Sequence, residues 1–184
     1  MIVVRFGVLS KSRKASEADV RKRCAVAFTG PSNSGKTTLI EKVAKVLIAK
    51  YRVAIIKNDP KDKAKFDIPG KDSYKFSQTG AEVVVTSPTR TTFFSQREKS
   101  LDEIIEMIGE FDYLLVEGLK TLPLPRIAIF RNKIEESYFS CSEAMAIDES
   151  IDPTDYMIPE TLTLLDLNDT EEIVSWIQNN AKEL

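Results

Sequence analysis

GPSNSGKTT, residues 30–38, meets G-x-x-x-x-G-K-[ST] at every fixed position, with Gly30, Gly35, Lys36 and Thr37 in those places. Ahead of it stands CAVAF (24–28), a short apolar run bounded by a turn signal, as a buried strand requires. Behind it Leu39, Ile40, Val43, Val46 and Leu47 recur at spacings of three and four, which predicts an amphipathic helix over 36–50. That order of strand, glycine-rich loop and helix has a chemical purpose. The two glycines let consecutive backbone N–H groups turn toward phosphate oxygens. The helix N-terminus adds the positive end of its dipole. Lys36 is placed to reach β- and γ-phosphates, and the Thr37 hydroxyl to reach Mg²⁺. The whole loop (Gly30, Pro31, Ser32, Asn33, Ser34, Gly35, Lys36, Thr37 and Thr38) therefore reads as a nucleotide-binding segment.

Reading outward, YRVAIIK (51–57) is a predicted buried strand, DYLLVEG (112–118) and RIAIFR (126–131) are strongly apolar predicted strands, and TLTLLDL (161–167), EVVVTS and RTTFFS are further predicted strands. KDSYKFSQTGA and SLDEIIEMIGEF are predicted helices, the first ending at Gly80. DTEEIVSWIQNNA closes the chain as a helix, with Asp169 as N-cap, Glu172 at N3 and Ile173, Trp176 and Ile177 facing inward. Residues 58–71 read as a polar loop over the site, and 134–159 give weak signals. Strands alternating with helices predict an α/β fold: a three-layer P-loop NTPase architecture with a mainly parallel, or mixed, sheet.

The 184 residues suffice for one domain with a real core, and 42% hydrophobic with 29% charged content is ordinary for a globular chain. The net charge of −2 gives no nucleic-acid footprint. No apolar run approaches the roughly 20 residues that span a bilayer. MIVVRFGVL is broken by Arg5 and has no small-residue cleavage site, so a cytoplasmic protein is expected. Residues 1–22 form a basic stretch with no strong periodicity. They read as a disordered extension, or as sequence upstream of the true start, ahead of a nucleotide-binding domain over 23–184. Cys24 and Cys141 make no metal or redox motif and are expected to be reduced and buried. The chain contains no histidine, which removes histidine bases and ligands from consideration.

A metal-side acid should end a strand beside the phosphate loop, and Glu117 closes DYLLVEG in that way. Lys57, Asp72, Arg90 and Lys120 each follow or flank a predicted strand end, the edge where open α/β sheets bind ligands, and are candidates for the γ-phosphate side. Asn132 and Lys133 match the first half of an N-K-x-D guanine reader, but Glu135 stands where Asp should be; a plain loop is the preferred reading.

Beyond the phosphate loop, AIIK followed by a polar run, DIPGKDSYKFSQTGA, SPTR, DYLLVEGLK, RIAIFR and LDLNDTEEI…WI occur in an order that resembles the MobB family of molybdopterin guanine dinucleotide biosynthesis adapters. The resemblance covers residues 24–131 and again about 161–178, and PGKDSY with VEGLK is its specific part. It implies a fold related to GTP-dependent metallochaperones, binding of GTP and Mg²⁺, feeble hydrolysis, homodimerisation, and association with the molybdenum cofactor guanylyltransferase that joins GTP to molybdopterin. Family members often carry histidines after the lysine that ends the second strand. Here that run is KNDPKDKAKFD, so Lys57 with Asp59 or Asp67 is left to meet phosphate or metal-bound water. Asp59 is the candidate for orienting a hydrolytic water.

Two other classes compete. A small-molecule kinase needs an arginine-rich lid, and Arg52, Arg90, Arg97, Arg126 and Arg131 are scattered. A GTP-dependent metallochaperone needs Cys or His ligands, of which only the two distant cysteines exist. The expected function is an adapter that presents GTP or molybdopterin to its partner.

Overall fold

The computed structural model describes residues 22–184, so the reading of 1–22 as a disordered extension lies, Lys22 apart, outside the described residues. Its elements are β1 (Cys24–Thr29), α1 (Lys36–Leu47), β2 (Val53–Lys57), α2 (Asp72–Ser77), β3 (Val83–Thr86), β4 (Thr91–Phe94), α3 (Leu101–Ile108), β5 (Tyr113–Glu117), β6 (Arg126–Phe130), β7 (Ala144–Ile147), β8 (Thr163–Asp166), α4 (Thr170–Asn180) and β9 (Lys182–Glu183). Short 3₁₀ turns at Glu136–Cys141 and Pro153–Asp155 flank β7.

The main sheet runs β2-β5-β1-β6-β7-β8, all parallel, and β9 adds an antiparallel pairing to the start of β1. The sheet is therefore mixed, through two C-terminal residues. They occupy the Cys24–Ala25 end of β1, while β6 takes over from Ala27. Lys22 donates to Glu183 at 2.8 Å and anchors the same corner.

Alternation along the strands explains the three layers. Val26, Phe28, Leu115, Ile127 and Ile129 face α1 and α4, meeting Leu39, Val43, Leu47, Ile173 and Ile177. Ala25, Ala27, Leu114 and Val116 point the other way, toward Leu101, Ile104 and Ile105 of α3. Ala128, Phe130, Met145 and Ile147 form a third cluster with Tyr138 and Ile151. Helix starts follow the expected chemistry. Ser100 and Glu103 form a reciprocal capping box on α3, and Asp169 accepts from the Glu172 N–H at 2.9 Å to cap α4.

Four sequence readings need adjustment. β7 lies inside the segment with weak signals, and β9 was not foreseen. β3 and β4 form a separate two-stranded antiparallel sheet rather than joining the main one. The two cysteines are free but only partly buried.

Candidate nucleotide site

β1 ends at Thr29 in the middle of the sheet, and the chain must then turn sharply to start α1 on one face. Gly30 does this at φ +138°, where a Cβ would stand 2.3 Å from the Ile129 carbonyl oxygen of neighbouring β6. Gly35 serves as the N-cap of α1 at φ +96°, with no side chain capping the helix. The first N–H groups of α1 are therefore left for a ligand, and the first turn carries no acid to compete with an anion. Ser34 is buried, and its Oγ has no hydrogen-bond partner among the described residues. The Lys36 ammonium donates to the Pro31 carbonyl, so it folds back over the loop.

Parallel pairing brings the other charged groups to the same edge. Glu117 ends β5, in register with Phe28 of β1 on one side and Lys57 of β2 on the other. Lys57 Nζ stands 3.2 Å from Glu117 Oε2, with the Glu117 side chain only 14% exposed. Lys120 follows in the next loop, its Nζ 3.7 Å above the Tyr138 ring. A cavity of about 730 Å³ gathers Gly30, Ser32, Asn33, Lys36, Thr37, Lys57, Glu117 and Lys120, with Asn58 and Pro60 at its side. That volume is ordinary for a small-molecule site.

Burial pushes the Lys36 ammonium below its ordinary value; Glu117 opposes the shift, while Lys57 and Lys120 reinforce it. Three lysines thus share one carboxylate. The cluster repels itself and is short of negative charge, the condition that a polyphosphate relieves. The chemistry of the oxygen set also suits Mg²⁺: the Thr37 hydroxyl and the Glu117 carboxylate line the same cavity. Among the described residues no group of three or more His, Cys, Asp or Glu is placed to hold a metal; phosphate oxygens and water would complete the coordination of Mg²⁺.

Arg126 holds this edge together. It is 1% exposed, and its guanidinium donates to the carbonyls of Gly118, Leu119, Lys120, Leu122 and Cys141. Along the sequence Arg126 is one of five scattered arginines; buried, it shapes the loop that carries Lys120.

Other candidates lie elsewhere. Asp59 does not line the cavity. Its Oδ2 accepts from the N–H groups of Lys63 and Ala64, each at 2.7 Å, and closes its own turn. Those backbone bonds, Ala64's foremost, hold its carboxyl below the usual range. Asp67 lines a different cavity. Asp72 is exposed at the start of α2 and pairs with Lys75 at 3.4 Å. Arg90 belongs to the β3–β4 turn, where its N–H and carbonyl engage Ser87. Adjacency to a strand end misled for Arg90 because the hairpin is not part of the main sheet. Thr38 is exposed on α1 beside the site.

A residue that sequence reasoning underrated is Arg131. Its Nε lies 3.4 Å from where a Gly35 Cβ would be and pairs with Asp148 Oδ2 at 3.1 Å. Asn132 follows at φ 64°, its N–H donating to Ser150 Oγ at 2.7 Å. The ends of β6 and β7 thus meet behind the phosphate loop. Neighbouring β1 and β6 predict this once the strand order is known.

No helix among the described residues is long and apolar enough to cross a membrane. The family model for molybdopterin guanine dinucleotide synthesis protein B matches residues 25–148. The chain is 32% identical over 161 residues to the molybdopterin-guanine dinucleotide biosynthesis adapter protein of Haemophilus influenzae, covering 84% of this chain and 87% of that one. It is 30% identical over 167 residues to the Escherichia coli protein of the same name, covering 83% and 93%. The crystal structure of Bacillus subtilis MobB superposes with a TM-score of 0.69 at 23% identity, over 86% of this chain and 98% of that one. A phosphate loop on a mainly parallel three-layer fold, with sequence similarity running well past that loop, shows that the chain belongs to the MobB family.

Proposed function

We infer that this chain is a GTP-binding adapter of molybdopterin guanine dinucleotide synthesis, which holds nucleotide for a partner guanylyltransferase and hydrolyses it very slowly. Family membership supports the pathway. The observation that carries the adapter reading is the make-up of the cavity. It has a phosphate cradle and three lysines, yet Glu117 is the only acid among the described residues lining it, and no arginine does. Transfer to an acceptor or to water needs a positioned base or water-orienting group. Glu117 is already paired with Lys57, and Asp59 is committed to its own turn. Thr37 and Glu117 would hold Mg²⁺, which when bound neutralises charge on β- and γ-phosphate oxygens.

Steady-state phosphate release tests this reading. The expected rate for the chain alone lies well below the roughly 1–100 s⁻¹ of dedicated phosphoryl-transfer enzymes. Turnover of many per second, with or without a small acceptor, would make it an enzyme in its own right. Glu117→Gln should weaken GTP binding in the presence of Mg²⁺ and have little effect when Mg²⁺ is chelated. An equal loss in both conditions would remove Glu117 from the metal side.

The lowered Lys36 predicts a pH dependence with two opposite signs. GTP binding uses the protonated ammonium, so affinity should be flat near neutrality and fall as pH rises through the folded value, beginning below the ordinary 10.5. The ligand-free protein should behave the other way. Between the folded value and 10.5 the unfolded chain binds more protons at this site, so stability rises with pH. Calorimetric titrations and urea melts across alkaline pH measure both. A parallel loss of affinity and stability would contradict the assignment.

A further inference from the structure

We propose that the cavity between α2 and the β3–β4 hairpin binds a fused 2-amino-4-oxopyrimidine ring, and that its ligand is the pterin. The cavity measures about 460 Å³ and shares no lining residue with the phosphate site. Four aromatics (Phe66, Tyr74, Phe93 and Phe94) line it, and Asp67 and Gln78 bring polar groups.

The Asp67 carboxylate is half satisfied. Its Oδ1 accepts from the Ile68 N–H at 2.9 Å and from the Ser73 hydroxyl at 3.0 Å. Its Oδ2 is shielded from solvent and has no hydrogen-bond partner among the described residues. A buried carboxylate oxygen without a donor is costly, and a ligand N–H that reached it would recover that cost. The ring N–H and adjacent amino group of a 2-amino-4-oxopyrimidine are two donors side by side, and with Oδ1 already accepting two bonds it is Oδ2 that keeps two acceptor sites for them. Phe66 is 85% exposed, an aromatic face with little protein against it, on the rim of the same cavity. Stacking on such faces suits a flat heterocycle.

Pterin and guanine share this hydrogen-bonding edge. The choice of pterin rests on the adapter reading, in which the guanine nucleotide is held at the phosphate loop. One loop spans both places: Pro60 lines the phosphate cavity, and Phe66 and Asp67 line this one. The two molecules to be joined would then be held on either end of residues 58–71.

Pterin fluorescence titrated with the full chain tests the proposal, alongside lumazine, whose 2-oxo group replaces the amino donor, and guanosine. Pterin should bind, and lumazine should bind at least about tenfold more weakly. Asp67→Asn should cost pterin about tenfold or more, since the amide offers one acceptor in place of two. Because Asp67 also ties its own loop, Phe66→Ala serves as a variant at an exposed position; it should weaken pterin several-fold with an unchanged melting curve. Equal binding of lumazine and pterin, or pterin affinity indifferent to both substitutions, would overturn the site. Guanosine competing more tightly than pterin would overturn the pterin assignment. GTP titrations of the unmodified chain separate the two readings. GTP binding without pterin binding sinks this proposal alone, and pterin binding without GTP binding sinks the nucleotide-adapter reading alone.

Discussion

Lys36→Ala is expected to weaken GTP binding by about 100-fold while leaving the melting temperature unchanged or slightly raised. A charge-assisted hydrogen bond to phosphate contributes about 1.5–3 kcal/mol, and each 1.4 kcal/mol is about tenfold in affinity. The fold loses nothing comparable. Lys36 is the first residue of α1, and its protein contact is the Pro31 carbonyl. The core of that helix is made by Leu39, Ile40, Val43 and Leu47. Alanine is also the better helix former. Removing the ammonium further relieves a cluster in which Lys57 and Lys120 already disfavour its charge. Lys36→Arg keeps the charge but not the compact point of contact, and should recover only part of the affinity. Isothermal calorimetry with GTP and Mg²⁺, beside a thermal melt, measures both arms. Undiminished GTP affinity would dismiss the phosphate cradle; a collapsed melt would show that Lys36 is structural.

Arg126→Met should destabilise the domain by about 3–5 kcal/mol, the scale for stripping several backbone acceptors of a buried charged donor. Five carbonyls accept from this guanidinium, and four belong to the single loop 118–122. Buried acceptors left without donors cost about 1–3 kcal/mol each before the loop relaxes toward water. Methionine fills much of the volume, so the loss reports hydrogen bonding more than a cavity. Arg126→Lys retains a cation, but three donors from one nitrogen cannot span those carbonyls, and an intermediate loss is expected. The second readout is local. The released loop carries Lys120 away from the phosphate cavity, so GTP affinity should fall even where the protein remains folded. Urea unfolding and calorimetry on Arg126→Lys separate the two effects. A loss under about 1 kcal/mol for Arg126→Met would mean that water replaces the guanidinium without penalty.

The burial of Arg126 shows where reading the chain residue by residue runs out. RIAIFR declares a strand, but nothing in its composition says that its first residue points into a loop from the preceding crossover. The four loop residues whose carbonyls need Arg126 (Gly118, Leu119, Lys120 and Leu122) lie just upstream, and the parallel pairing of β6 with β1 sets the side chain against them. AMAI is a similar case. Alanine and methionine are weak strand formers, and four residues are too few for a period. All four are nevertheless buried, because β6 and β8 flank them on both sides. The β3–β4 hairpin reads correctly as two strands, yet its separation from the main sheet left Arg90 far less placed than its position after a strand suggested.

By itself the sequence determined what depends on near neighbours: the strand–loop–helix of the phosphate segment, the cap at Asp169, and the acid that ends β5. These follow from backbone geometry and from periods of 2 and 3.6, which act over a few residues. The tertiary structure alone decided which charges share a space. Lys36, Lys57, Glu117 and Lys120 meet because β2, β5 and β1 are adjacent and parallel. Asp59, Asp67 and Asp72, equally plausible along the chain, are drawn off by a turn, a second cavity and a neighbouring lysine. Electrostatic interaction falls with distance through space and takes no account of distance along the chain, so the strand order selects the site.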